Sequence, residues 1–102
     1  MQQATGAAGA ATTITLAAGS ASQVRCCAGI CWSYSAAPTG GRLTIASTGQ
    51  PTFDVDTPAT GLNQLDPSQT FRGMPGQTVV VTLAAPGGAV VGKLNILRDW
   101  LE

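Results

Sequence analysis

Residues 24–34 read VRCCAGICWSY, and every even-numbered position in this stretch is apolar. Apolar side chains at every second position are typical of a β-strand that buries one face. The stretch is also longer than the usual strand of about five or six residues. We therefore predict a long central strand whose even-numbered side chains, among them Cys26, Ile30 and Trp32, face the core of a sheet protein.

Shorter alternating segments on both sides of this strand predict further strands, separated by turn-forming Gly, Pro and Ser residues. Residues 58–69 show no alternation and predict the longest loop, one that crosses between two sheets. The predicted fold class is all-β: an antiparallel β-sandwich or jelly-roll-like barrel of six to seven strands with a flexible N-terminal arm. The predicted strands cover residues 12–17, 23–35, 42–47, 52–57, 70–74, 78–84 and 90–98.

The chain divides into an arm and one domain. Residues 1–11 are rich in Ala, Gly and Gln and would bury almost no apolar surface, so we predict a flexible arm. Residues 12–102 have the length of a single β-sandwich domain. In each of the predicted strands the apolar side chains stand at every second position and so lie on one face. We predict that these faces form one shared core, made of Val24, Ile30, Trp32, Leu43, Ile45, Phe53, Val55, Val79, Val81 and Leu83.

Charged side chains make up 10% of the chain, against about a quarter in a typical globular domain. Five basic and five acidic residues cancel, so no field is expected to attract nucleic acid or an anionic membrane surface. The first eleven residues lack the basic start and apolar run of a signal peptide, and no stretch approaches the ~20 apolar residues of a membrane span. We therefore expect a chain made in a cytoplasm.

Candidate catalytic and metal-binding residues are few, and histidine is absent. Asp54 and Asp56 share a face of their predicted strand, about 7 Å apart, and are interpreted as solvated carboxylates that protect a strand edge. A calcium site with Asp66 is the alternative for these carboxylates. A nucleophilic Ser or Thr would need Lys93 as its base, and the alternation places this lysine on the surface. We therefore predict no enzymatic activity, no cofactor and no metal.

The three cysteines lie on the long predicted strand and are expected to remain reduced. Strand geometry places Cys27 and Cys31 on one face about 13 Å apart, with Cys26 on the opposite face, so no two of them are positioned for a disulfide. A zinc site would need a fourth ligand and a Cys-x-x-Cys or histidine spacing, which the sequence lacks.

The aromatic residues give two different predictions. Trp32 and Tyr34 fall on the apolar parity of the long strand and are predicted in the core, with a stacking platform for sugars or bases as the alternative. Trp100 lies beyond the last predicted strand and is a candidate intersubunit contact. The following Leu101-Glu102 fits either a native end or a cloning remnant. The predicted partner interface consists of Gln2, Gln3 and Thr5 of the arm together with Trp100 and Leu101.

Several stretches of the chain resemble a group of small proteins encoded by tailed bacteriophages and prophages. The resemblance spans residues 12–98 and is carried by strand and turn sequences. It includes no catalytic motif and does not extend to the first eleven residues. The stretches that carry it are YSAAPTGGRLTI at 34–45, TFDVD at 52–56, RGMPG at 72–76, LAAPGG at 83–88 and GKLN at 92–95.

This resemblance implies a structural protein of the virion, made in the cytoplasm of the host bacterium. The expected role is that of a capsid decoration (cement) protein that stabilises the head shell by binding major capsid subunits. Sparse charge, an arm and the apolar tip at Trp100 favour a homo-oligomer, with a trimer as the expected order. The alternatives are a tail or connector component, or a carbohydrate- or receptor-binding module.

Overall fold

The computed structural model describes all residues from Met1 to Glu102 and contains nine β-strands and no helix. The strand count exceeds the six to seven predicted because residues 2–5 and 63–64 also form strands. The strands are β1 (Gln2–Thr5), β2 (Thr12–Leu16), β3 (Arg25–Tyr34), β4 (Arg42–Ala46), β5 (Phe53–Asp56), β6 (Asn63–Gln64), β7 (Thr70–Arg72), β8 (Val79–Leu83) and β9 (Gly92–Leu101).

The strands form two antiparallel sheets, which confirms the predicted all-β class. Sheet A has the order β1-β9-β3, and both β6 and β7 pair with the free side of β3. Sheet B has the order β2-β8-β4-β5. Residues 57–69 carry the chain from β5 in sheet B to β7 in sheet A, which confirms the predicted crossing between sheets. The segment is not the longest loop, because β6 interrupts it and residues 17–24 and 84–91 form longer loops.

The core lies between the two sheets and is built by alternation along each strand. In β8, for example, Val79, Val81 and Leu83 are buried while the residues between them are partly exposed. The predicted core is confirmed for most of its members, but Val24 and Phe53 lie outside it and Val55 is only partly buried. The core residues are Ile14, Leu16, Cys27, Ile30, Trp32, Tyr34, Leu43, Ile45, Val79, Val81, Leu83, Leu94 and Ile96.

Strand β3 changes the face that it buries at Gly29. This glycine has a φ of 70°, a left-handed conformation that side-chain-bearing residues rarely adopt. After Gly29 the even-numbered Ile30 faces the core, as predicted, but before it the odd-numbered Cys27 does so. Cys26 is fully buried, as predicted, but it lies outside the cluster between the sheets because the left-handed residue shifts the alternation by one position.

The predicted flexible arm is wrong for Gln2–Thr5, which form β1 at the edge of sheet A. This strand pairs with β9, with Gln2 opposite Ile96 and Thr5 opposite Lys93. The side chain of Ala4 packs against the core. Backbone pairing and one small inward side chain are enough to order this polar segment, although it has no apolar alternation to signal a strand.

Candidate functional site

The residues predicted as a partner interface occupy two separate places on sheet A. Gln2, Gln3 and Thr5 are exposed on β1, which pairs only with the first half of β9. Trp100 and Leu101 lie at the far end of β9, where they face Cys26 and Arg25 of β3. Ile96 is the residue of β9 nearest to Trp100 that still pairs with β1, and four residues of extended chain, about 13 Å, separate the two. The structure therefore does not join the two predicted groups into one surface.

Trp100 lies inside a strand, and its predicted position beyond the last strand is wrong. Strand β9 continues to Leu101, and Trp100 pairs with Cys26. Its indole Nε1 donates a hydrogen bond to Oε1 of Glu102 at 3.2 Å. The guanidinium of Arg98 lies 5.9 Å from the centre of the Trp100 ring system, within the range of a cation–π contact. These contacts hold the half-buried indole on the outer face of sheet A.

Three charged side chains lie around this indole, and together with it they form the Trp100 patch: Arg72, Arg98, Trp100 and Glu102. Arg72 forms an ion pair with Glu102 across β3. Hydrogen bonds from Trp100 and Arg72 lower the pKa of the Glu102 carboxyl below its usual range, so the carboxylate stays ionised in mildly acidic solution. Of these residues, only Trp100 belongs to the interface predicted from the sequence.

A small apolar groove opens on another side of the molecule, between the edges of the two sheets. It holds about 120 Å³ and is lined by residues 27–30 of β3 and 69–71 at β7 in sheet A, together with Ile45 of β4 and Phe53 of β5 in sheet B. Phe53, which was predicted in the core, lies at this groove and is 38% exposed because β5 is an edge strand with no neighbour beyond it. Phe71 and Leu65 contribute further apolar surface to the groove.

The carboxylates considered for acid–base or calcium chemistry lie in separate local interactions. Asp54 accepts a hydrogen bond from Nε of Arg42 at 2.7 Å, and this contact lowers the pKa of Asp54. Asp66 accepts hydrogen bonds from the backbone amide and the hydroxyl of Ser68 at 2.9 and 2.8 Å, which lower the pKa of Asp66. No three His, Cys, Asp or Glu side chains lie close enough together to hold a metal ion.

The three cysteines are free, but they are arranged differently from the prediction. Cys27 faces the core and Cys31 the outer side of sheet A, so they do not share a face, because the alternation shifts at Gly29 between them. Burial, with smaller contributions from Cys26 and Asp99, raises the pKa of Cys27 to about 12. Burial followed by the negative charge of Glu102 also raises the pKa of Cys26.

These environments predict a strict order of cysteine reactivity. At pH 8 the buried thiols of Cys26 and Cys27 stay protonated, whereas Cys31 is partly exposed. A maleimide reagent should therefore modify one thiol per folded chain, and mass mapping should place the label at Cys31. The Cys31→Ser variant should take up label only in denaturant. Rapid labelling of Cys27 in the folded protein would contradict the core position of this residue.

Comparison of the chain with models of protein families, with curated proteins and with solved structures finds no match. The fold contains no helix with the length and apolar character needed to cross a membrane. Its most distinctive surface is the Trp100 patch, which combines tryptophan and arginine on a rigid strand. Such a surface can bind a partner through shape and contact without any chemical step.

Proposed function

We propose that the chain is a structural protein of a tailed-bacteriophage virion, acting as a capsid decoration protein that binds major capsid subunits as a homo-oligomer. The resemblance of residues 12–98 to small phage and prophage proteins supports the virion setting. The Trp100 patch supports a role in binding. In this role the protein adds buried contact area across the joints between capsid subunits, and the shell is stabilised by that area alone.

The observation that carries this proposal is the position of Trp100 between Arg98 and Arg72 on the outer face of sheet A. Tryptophan and arginine are the residues most enriched among those that dominate binding energy in protein interfaces. Both arginines belong to paired strands, so their backbone is already ordered and only side-chain rotamer freedom is lost when a partner covers them. A capsid subunit could therefore bind this patch without reordering the domain.

The charges of the patch indicate what the capsid surface should present. Arg72 is neutralised by Glu102, whereas the guanidinium of Arg98 forms no ion pair: its contacts are the Trp100 ring at 5.9 Å and the carbonyl of Pro67 at 3.4 Å. Arg98 is thus free to bind a carboxylate or a carbonyl group of the shell. An apolar recess for the indole next to such an oxygen would complement the patch.

Replacing Trp100 with alanine should weaken binding to the shell about 30-fold, the effect of losing a dominant interface side chain. The measurement is co-sedimentation with empty shells assembled from the major capsid protein of the same genome. Trp100→Phe should retain most of the affinity. Leu62→Ala is the matched control, because Leu62 is 75% exposed in the loop between the sheets and distant from the patch in sequence.

Thermal unfolding of each variant separates a lost contact from a lost fold. Unchanged shell binding by a folded Trp100→Ala protein would remove the patch from the interface. Binding of the wild-type protein to tail assemblies but not to head shells would favour the tail or connector alternative. Binding to neither would overturn the virion role as a whole.

A further inference from the structure

One side of the sandwich is formed by two adjacent edge strands, β1 of sheet A and β2 of sheet B. No residue before Arg25 has a charged side chain, so neither strand carries one. Both edges are hydrogen-bonded to the same residue of β9. The carbonyl oxygen of Gly92 accepts one hydrogen bond from the Thr12 hydroxyl at 3.3 Å and another from the Gly6 amide, which follows β1, at 3.0 Å. The uncharged N-terminal segment thus forms the edge strands of both sheets on this side of the sandwich.

Strand β2 leaves half of its backbone pairing groups unused. Its five residues form an unbroken ladder with β8, and no other hydrogen bond involves their backbone groups. The strand is regular, with Ile14 facing the core and Thr13 and Thr15 exposed on the outer face. It contains no proline, glycine or charge. An uncharged edge strand in which four of five residues are β-branched is the kind that adds a further strand.

The opposite edge of the same sheet is built differently. Strand β5 carries Asp54 and Asp56, and prolines at positions 51 and 58 flank it. Charges and prolines are the usual means by which an edge strand is kept from pairing with another chain. Sheet B is therefore protected at β5 and open at β2, which makes β2 the edge at which the sheet can be extended.

We infer that β2 pairs antiparallel with β2 of a second copy of this chain, so that two molecules form one continuous eight-stranded sheet around a two-fold axis. In this arrangement the side chains of the two β2 strands complement each other. With Ile14 opposite its own copy, the two isoleucines continue the core layer across the joint. Thr13 of each molecule then lies opposite Thr15 of the other, a favourable cross-strand pair.

The choice of a second copy follows from this self-complementarity and from the absence of charge. An edge with charges would repel or select a partner by electrostatics, whereas residues 13–15 of β2 read Thr-Ile-Thr from either direction and carry no charge. A trimer, the order expected from the sequence, needs two different patches at each contact, but β2 pairing with itself closes at two copies. The dimer forms in solution and does not depend on the capsid-binding role.

The test uses the purified full-length chain in sedimentation equilibrium. The wild-type protein should approach twice the 10.2 kDa mass of one chain as its concentration rises. The paired substitution Thr13→Lys with Thr15→Lys places like charges opposite each other and should weaken dimerisation about 30-fold. The pair Thr13→Glu with Thr15→Glu should do the same. An equimolar mixture of the two variants should recover the dimer, because lysine then faces glutamate.

Thr44→Lys is the matched control, since Thr44 lies on the same outer face but on the central strand β4, and this variant should remain dimeric. Hydrogen exchange of the wild-type chain provides a measurement without substitution: the β2 amides should become more protected as concentration increases. A wild-type monomer at millimolar concentration, a trimer, or concentration-independent exchange in β2 would overturn the inference. The inference would also be overturned if the lysine variant and the glutamate variant, each measured by itself, dimerised like the wild type.

Discussion

Replacing Trp32 with alanine should lower the free energy of unfolding by about 3–5 kcal/mol, because it removes the largest side chain of the core. Trp32 is only 5% exposed and belongs to the cluster shared by both sheets. Urea unfolding followed by circular dichroism measures this loss. In a domain of this size, the loss is a large share of the total stability, so poor soluble expression of the variant is expected as well.

The variant Trp32→Phe separates cavity formation from polar burial. The indole Nε1 of Trp32 is buried without a hydrogen-bond partner, and such a group costs about 1–3 kcal/mol. Phenylalanine removes that cost while losing some volume, so its net effect should stay within about 1.5 kcal/mol of the wild type. A stable Trp32→Ala protein would contradict the core assignment and favour a surface role for the tryptophan.

Replacing Gly29 with valine should destabilise the protein by about 3 kcal/mol or more. The φ of 70° strains any residue with a side chain, and β-branched residues most of all. A Cβ at this position would also lie 2.9 Å from Cβ of Leu97 on the neighbouring strand, closer than such atoms approach. Urea unfolding again measures the effect. Without the left-handed residue, β3 should no longer change the face that it buries at position 29.

Gly40→Val is the matched control for this prediction. Gly40 has a φ of 72°, but a Cβ built there meets no atom within 4 Å. The control should therefore show the backbone strain alone, about 1–2 kcal/mol. Adding Leu97→Ala to Gly29→Val should recover part of the stability that Gly29→Val loses beyond Gly40→Val. The alanine removes Cγ and Cδ1 of Leu97, two of the three atoms that crowd the new Cβ. Equal losses at Gly29 and Gly40 would show that the contact with Leu97 costs nothing.

Regular alternation was a reliable guide wherever a strand buries one face along its whole length. Strands β2, β4 and β8 were predicted within two residues of their ends, and their inward residues Ile14, Leu43 and Val81 are all in the core. In these strands the sequence pattern and the pleat of the backbone have the same period. Phe53 followed the same pattern, but its edge position opens its inward side to the groove.

Other features depend on backbone conformation or on residues distant in the chain. The three residues before Gly29 are Cys26, Cys27 and Ala28, which are small and apolar at both odd and even positions, so the sequence shows no sign of the change of face. The Trp100 patch also depends on long-range pairing, since Arg72 reaches Glu102 only because β7 and β9 both pair with β3. A single tryptophan near the end of the sequence was the only local sign of this patch.

The order of strands in sheet A limits when the protein can fold during synthesis. Strand β9 lies between β1 and β3, although it follows every other strand in the chain. The ribosome must therefore release residues 92–101 before either neighbour has its main partner. Pairings as distant as Gln2 with Ile96 make folding slow, on the order of milliseconds to seconds. Until then the cysteine-bearing β3 lacks its main partner and is exposed to other nascent chains, so newly made protein should depend on chaperones for its yield.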